Sequence, residues 1–389
     1  MCYNDANLMD TTRGNFTMAY LGENIPKLGF GLMRLPMKGE EVDIEQTKQM
    51  VDLFLEKGFT YFDTAFGYLG GKSELAAGEA LVKRYPRERF QLATKLPAWA
   101  GPKTAEEAKA MLFTSLERTG AGYFDFYLLH NLGGTRTEYF DRFGIWDFLA
   151  EQKQKGLIRH LGFSFHDTAD VLEDILTKHP DMEFVQLQIN YADWESESVQ
   201  SRKCYEVARR HGKPVIIMEP VKGGSLANLP DAVAKELRAQ DPNASLSSWA
   251  IRYAASLEGL VTVLSGMSTL QQMQDNVSFM EHFKPLDEAE RAAIARAQRA
   301  LAESPRVPCT DCKYCTKGCP QQIAIPGVFK AMNTRLVYGN VAGAQGSYEW
   351  ETREGGKASD CIACGQCESV CPQHIEIISE LKRAAEWFK

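Results

Sequence analysis

The stretch IEQTKQMVDLFLEKGFTYFD, residues 44–63, places a helix pattern and a strand pattern on either side of Gly58. Ile44, Met50, Val51, Phe54 and Leu55 recur at the 3.6-residue spacing of an amphipathic helix, and the run from 59 to 63 is short, aromatic and β-prone. The same alternation continues along the chain. β-rich runs fall at 28–33, 59–63, 90–94, 124–129, 158–163, 184–190, 215–218 and 261–264, with helix-like stretches such as 105–119 between them. Eight strand-and-helix units over roughly 250 residues are the signature of a (β/α)8 TIM barrel, so the predicted class is α/β. The rival is an open doubly wound sheet, which would show a GxGxxG fingerprint after its first strand. Here Gly29 and Gly31 are followed by Leu32, Met33 and Arg34.

Two departures from this regular spacing carry information. Residues 17–25 read as an N-terminal β-hairpin ahead of the first barrel strand, turning at Gly22-Glu23-Asn24 and placed to plug the barrel floor. The long gap between the seventh and eighth strands holds Gly223-Gly224 and a polar stretch, 226–244, which reads as an excursion over the catalytic face. The opening 1–16 is polar and reads as a loose tail, with Asn4, Asp5, Asn7, Thr11 and Thr12.

A chain of 389 residues with 44% hydrophobic content can bury a large core. Its net charge of -7, without a basic block, argues against a nucleic-acid partner. Without an eighteen-residue apolar run or a secretory signal, no membrane association is expected, and the cytoplasm, where thiols stay reduced, is the expected location.

Eight of the ten cysteines fall in two copies of CxxCxxCxxxCP, at Cys309, Cys312, Cys315, Cys319-Pro320 and at Cys361, Cys364, Cys367, Cys371-Pro372. Thiolates at these spacings suit a [4Fe-4S] cluster, which takes three ligands from one tight turn and a fourth from elsewhere. In two-cluster proteins the fourth cysteine serves the other cluster. The expected sets are therefore Cys309, Cys312, Cys315 with Cys371, and Cys361, Cys364, Cys367 with Cys319. Disulfides fit poorly in a reduced compartment, and zinc would be held by CxxC pairs rather than four cysteines in one run. The helix-like stretch ending near Leu301 is broken by Pro305 and Pro308, which sets the predicted division at 17–302 for the barrel and 303–389 for the cysteine-bearing domain.

Chemistry in such barrels sits at the C-terminal ends of the strands. Asp63 ends the second strand and Tyr68 follows it by five residues; Lys95 ends the third and His130 the fourth. Taken singly, each has a plain structural role open to it: a helix cap for the aspartate, a solvated lysine, a satisfied histidine. Taken together they form a coherent device. A carbonyl that accepts a hydride develops negative charge on oxygen and needs a proton donor. Tyr68 can donate, an adjacent Lys95 ammonium would lower its pKa, and Asp63 would keep that buried ammonium paired. His130 would orient the carbonyl oxygen by a hydrogen bond.

These four residues, in the contexts Phe62-Asp63-Thr64-Ala65, Ala93-Thr94-Lys95 and Leu128-Leu129-His130, resemble the tetrad of the aldo/keto reductases, here with a C-terminal dicluster ferredoxin-type domain. The resemblance implies a nicotinamide dinucleotide lying across the barrel mouth. It assigns the carboxamide to Ser164 and Gln188, and the adenosine phosphate and adenine to Gly266, Met267, Ser268, Gln272 and Asn276. Gly31, Met33 and Arg34 would lie beneath the nicotinamide. After the seventh strand, Met218-Glu219-Pro220-Val221 stands where many members stack an aromatic ring, so stacking would come from the Met218 thioether or not at all; Met218 and Pro220 are still expected to touch the dinucleotide, with Lys222 and Gly224 in the loop toward a phosphate. Gly266 and Gln272 stand where NADPH-dependent members carry a lysine and an arginine, which leaves NADPH or NADH open.

The cysteine motifs are 52 residues apart, and 328–336 between them is helical in pattern, so the C-terminal domain is expected to be small and helical. Ile323, Ile325, Ile375 and Ile377 are expected to wall its clusters from water. A nicotinamide passes two electrons as a hydride whereas each cluster passes one, and no flavin motif is visible in the sequence. Three roles for the clusters follow: stabilising the fold or docking a redox partner such as a ferredoxin or flavoprotein; feeding electrons to or from the barrel site, with a bound flavin or a radical step; or sensing by a barrel that binds nicotinamide without turnover. The small-molecule carbonyl substrate would be chosen by loops at 97–103, 131–141 and 223–244. Trp99, Tyr139, Phe140 and Phe143 would be either pocket walls or plain packing residues.

Overall fold

The computed structural model describes residues 21–388, and the 1–16 tail lies outside them. Eight parallel strands close into a barrel: β1 (Leu28–Gly31), β2 (Tyr61–Asp63), β3 (Gln91–Leu96), β4 (Phe124–Leu132), β5 (Ile158–Phe165), β6 (Phe184–Gln188), β7 (Val215–Met218) and β8 (Leu260–Gly266). β1 pairs with both β2 and β8, so no strand edge is left open. The helix read from the opening stretch spans Ile44–Glu56, with Asp43 as its N-cap accepting the Gln46 amide, and it buries Met50, Val51, Phe54 and Leu55. β1 is shorter than its sequence pattern, because the chain turns at Leu32–Arg34 into a 3-10 helix.

The strands are buried on both faces, and their period of two sorts the residues. Tyr61, Ala93, Phe126, Leu128, Phe184 and Ile216 point into the barrel as one apolar layer. Phe62, Leu92, Tyr127 and Leu129 point outward to the helices. The inner layer sets tight limits. A Cβ added to Gly162 on β5 would stand 2.4 Å from the Phe184 carbonyl oxygen and 2.8 Å from its ring. Gly162→Ala should therefore destabilise the barrel by about 1–3 kcal/mol through overpacking. Thermal unfolding checks this, and an unchanged midpoint would show that β5 and β6 separate without cost.

The N-terminal hairpin is met only in part. Its first arm, 17–20, lies outside the described residues; the turn is present, with the Ile25 amide on the Gly22 carbonyl at 3.0 Å. The second arm forms no strand and runs through Pro26 into β1. Leu21 and Ile25 do pack against the inner layer, at the floor of the barrel. An unforeseen pair of two-residue strands, Met37–Lys38 and Glu41–Val42, forms after β1. The stretch 226–244 is partly helical. Its helix Asp231–Arg238 packs Val233 and Leu237 with Trp249 and with Ala293 and Ile294 of helix Glu288–Glu303.

Helix Glu288–Glu303 begins with a capping box between Asp287 and Glu290. Beyond it the C-terminal domain is helical: Tyr314–Lys317, Ile325–Tyr338, Val341–Glu351, Gln366–Ser369 and Ile377–Trp387, around its own apolar core. It sits against the barrel. Val337 joins the cluster formed by Tyr191, Leu226, Trp249 and Leu301, and the Asn340 amide nitrogen donates to the Ser225 hydroxyl at 3.0 Å.

Candidate active site and cysteine pockets

The period of two that turns Tyr61, Ala93, Phe126 and Leu128 inward also turns Asp63, Lys95 and His130 inward, at the C-terminal end of the barrel. Lys95, 1% exposed, donates to Asp63, to the Thr64 carbonyl at 2.8 Å and to the Tyr68 hydroxyl at 3.3 Å. Asp63, 3% exposed, also accepts from the Gln186 amide at 3.5 Å. Tyr68 opens a short turn in which Leu69, Gly70 and Gly71 all have positive φ. The turn is anchored from behind, where Ser73 bonds Thr64 at 2.7 Å and the Leu32 carbonyl at 2.9 Å. The His130 ring meets the Tyr68 ring edge-on at 5.8 Å, and Trp99 donates to the His130 carbonyl at 2.8 Å.

The electrostatics follow from burial. Desolvation pushes the Lys95 ammonium down, but the Asp63 carboxylate and the Tyr68 oxygen more than offset it, so the net shift is upward and the lysine stays charged. Desolvation raises Tyr68 above the ordinary phenol range, and the opposing pull of Lys95 is smaller. The sequence-based expectation that Lys95 lowers the phenol is thus outweighed by burial, and Tyr68 rests protonated. His130 is driven well below the usual imidazole range, first by burial and then by the charges of Lys95 and His166. It is therefore neutral, and its Nδ1 is buried without a hydrogen-bond partner among the described residues.

The residues assigned to the dinucleotide are spread around the same mouth. Gly31 pairs with Gly266 across β1 and β8, and Met33, 50% exposed, and Arg34 stand at that rim. Arg34 lies beside Gly266, with its carbonyl accepting Ser268 Oγ at 2.8 Å. The Ser268 amide bonds Gln272 Oε1 at 2.7 Å, and Asn276 donates to Ser265 at 2.7 Å. Met267 is 1% exposed and part of the barrel core, so its side chain is a packing group. Ser164 accepts the Asn131 amide at 2.8 Å, and Met218 pairs with Gln188 at the ends of β7 and β6. Pro220 is buried and Gly224 adopts φ +91° in the loop after β7.

Lys222 is not a free charge. Its ammonium bonds both oxygens of Asp193, at 2.6 and 2.7 Å, and Gln188 and Asn190 donate to the same carboxylate at 3.3 and 3.0 Å. Burial raises Asp193, but Lys222 more than offsets this and holds it below the usual carboxylate range. Asp193, Asn190 and Gln186 escaped the sequence reading; an acid five residues after a strand end is the signal that could have drawn attention to Asp193. Of the aromatic candidates, only Trp99 reaches the site. Phe140 and Phe143 are buried in the barrel core, with Tyr139 edge-on to Phe143.

The cysteines gather in two groups of four. Cys309, Cys312, Cys315 and Cys371 surround one small pocket with Phe329, Ile375 and Ile377. Cys319, Cys361, Cys364 and Cys367 surround another with Ile323, Ile325 and Leu381. Each group takes three cysteines from one motif and one from the other. All-thiol donor sets in apolar surroundings fit iron-sulfur clusters. A cleft of ≈ 1260 Å³ lies between this domain and the barrel. Cys309, Lys313 and Pro326, which wall the first pocket, also line it, opposite Arg34, Gln188 and Lys222.

A closed parallel barrel with a buried lysine–aspartate pair against a phenol at its mouth defines a (β/α)8 oxidoreductase. The sequence pattern of the aldo/keto reductase family matches residues 27–299, and that of a 4Fe-4S dicluster domain matches 308–376. The chain belongs to the aldo/keto reductase family. An aldo-keto reductase of Mycolicibacterium vanbaalenii is 30% identical over 66% of this chain and 83% of its own. The holo form of an aldo-keto reductase from Bacillus halodurans superimposes with a TM-score of 0.58 at 26% identity, covering 72% of this chain and 96% of that one. A Klebsiella pneumoniae aldo-keto reductase in complex with NADPH shares the fold, with a TM-score of 0.55 at 20% identity over 71% of this chain and 93% of its own. Among the described residues no helix is long and apolar enough to cross a membrane.

Proposed function

We propose that this protein reduces an aldehyde or ketone to an alcohol with NADPH or NADH, and that its C-terminal domain holds two [4Fe-4S] clusters. The observation that carries the reading is the buried Lys95 ammonium touching both Asp63 and the Tyr68 hydroxyl. Bound at the mouth, the dinucleotide would supply a hydride to the carbonyl carbon. The protein's part is then to hold and protonate the oxygen. Tyr68, protonated at rest, donates its phenolic proton as charge develops on that oxygen. Lys95 stabilises the phenolate that remains, and Asp63 keeps the lysine charged in a dry site. Neutral His130 offers a ring N–H to the same oxygen, and Trp99 steadies the strand that carries it.

Ser164 and Gln188 would receive the carboxamide, and Ser268, Gln272 and Asn276 the adenosine end. The NADPH seen in the Klebsiella relative makes that dinucleotide the first to test. Lys222 reaches a phosphate only by giving up part of its bonding to Asp193. Cys309, Cys312, Cys315 and Cys371 would hold one cluster, and Cys319, Cys361, Cys364 and Cys367 the other. The clusters' role is electron exchange with a ferredoxin or flavoprotein partner, in the cytoplasm.

The test is carbonyl-dependent oxidation of NADPH or NADH by the anaerobically purified protein, with one alcohol formed per dinucleotide. Dinucleotide binding without turnover on any of a broad panel of aldehydes and ketones would overturn carbonyl reduction. The same preparation should contain about eight iron atoms per chain, the sum of two four-iron clusters. A count near half of that would leave one cysteine pocket empty.

A further inference from the structure

The helix Ala105–Thr119 lies outside the barrel and carries none of the residues assigned to the site, yet its Arg118 reaches the turn that presents Tyr68. The guanidinium donates to the Phe66 carbonyl at 3.0 Å and lies 4.3 Å from the centre of the Phe66 ring. A Cβ added to Gly71 would stand 3.0 Å from the same guanidinium carbon. One cation thus packs against the chain on both sides of Tyr68. The turn needs such support from outside, because Leu69, Gly70 and Gly71 all have positive φ. A leucine in the left-handed region persists only where its surroundings over-determine it.

The cation is itself held. Glu74, 0% exposed, pairs with Arg118 at 3.0 Å through one carboxylate oxygen and accepts the Thr94 hydroxyl at 2.7 Å through the other. Thr94 precedes Lys95 on β3, and the Lys95 carbonyl accepts the Phe66 amide at 3.2 Å. Phe66 is therefore tied by its amide to the strand that carries the lysine and by its carbonyl to the arginine. Glu74 and Arg118 together join β3 beside Lys95, the turn that holds Tyr68 and the helix Lys72–Ala77 that follows it. A buried carboxylate is costly unless it is paired and hydrogen-bonded. Here its bonds go to the two segments whose separation sets the 3.3 Å contact of the Lys95 ammonium with the Tyr68 hydroxyl.

We propose that Glu74 and Arg118 are positioning residues, which aim the Tyr68 hydroxyl beside Lys95 and so set the rate of proton donation. This rests on the reading of Tyr68 as the proton donor. The rate of such a step depends steeply on geometry, and a misplacement of about 1 Å costs on the order of 10²-fold. The pair acts through Tyr68 alone, so its removal should leave dinucleotide binding in place.

The test is single-turnover carbonyl reduction by the full chain with its clusters intact, at saturating NADPH, using the fastest carbonyl of the panel above. The rate is expressed per chain that binds dinucleotide, which removes any unfolded fraction from the comparison. Glu74→Gln/Arg118→Met deletes the ion pair without stranding a charge, and should slow this step about 10–100-fold while dinucleotide affinity stays within a few-fold. Placed on Tyr68→Phe, the same two substitutions should slow the residual rate no further, because the group they aim is gone. Equal losses on both backgrounds would overturn the proposal, since the pair would then support the barrel at large. An unchanged rate with Tyr68 present would overturn it too, and so would a loss of dinucleotide affinity in step with the rate. Thr94→Val, which removes only the hydroxyl bonded to Glu74, gives the same comparison on a smaller scale if the double variant does not fold. Tyr68→Phe that by itself turns over at the unaltered rate would instead overturn the donor assignment on which the proposal stands.

Discussion

Tyr68→Phe is expected to lower the proposed carbonyl reduction by about 10²–10⁴-fold, the range for removal of a positioned proton donor. Dinucleotide affinity stays within a few-fold, because the substitution removes one oxygen and leaves the ring against His130. The effect should fall on kcat rather than KM, since the phenolic proton matters most as charge builds on the carbonyl oxygen. Single-turnover reduction with saturating NADPH separates this from slow product release. Turnover unchanged in the variant would sink the assignment of Tyr68 as donor. A loss of dinucleotide binding in step with activity would instead mark the residue as a wall of the binding site.

Lys95→Met lowers the stability of the barrel by about 3–5 kcal/mol, the cost of stranding a buried charge. Asp63 is almost fully buried, and without Lys95 its remaining side-chain partner is the Gln186 amide at 3.5 Å. The double substitution Asp63→Leu/Lys95→Met should recover most of that stability, because a buried ion pair replaced on both sides by apolar groups is close to neutral. Activity should remain lost in both. Urea unfolding of the barrel, followed by tryptophan fluorescence, gives the comparison. A single variant no less stable than the double would mean that water reaches Asp63 and that the pair is not dry. The same pairing explains why the tyrosine can rest protonated beside a cation: burial raises the phenol more than Lys95 lowers it.

Much of the site was legible along the chain because strand geometry is local. Once a run is a barrel strand, alternation places Asp63 on one face with Tyr61, Lys95 with Ala93, and His130 with Phe126 and Leu128; both faces are apolar, so it is the closed barrel that shows which of them is inward. The cysteine groups were legible for a similar reason, since three cysteines lie within one turn and the fourth comes from the other copy of the motif. Less of the dinucleotide site could be read. Met267, placed with the adenosine contacts by resemblance, packs into the core; Lys222, expected to offer a charge, is held by Asp193 across 29 residues. Neither fact has a signal in local spacing. The packing of the polar stretch 226–244 was hidden for a related reason: its helix finds its apolar partners on Glu288–Glu303, an element that composition alone had assigned to the end of the barrel.

The sequence by itself determined the eight-fold alternation, which residues share a strand face and the two cysteine motifs, since each depends on periods of two, three or 3.6 residues. The tertiary structure alone decided which cysteine group meets the barrel. Cys309 shares a cleft with Gln188 only because Val337 and Asn340 dock on a loop more than 100 positions earlier in the chain. Such contacts follow from the closure of the barrel and the burial of its side helices, which depend on the whole chain at once.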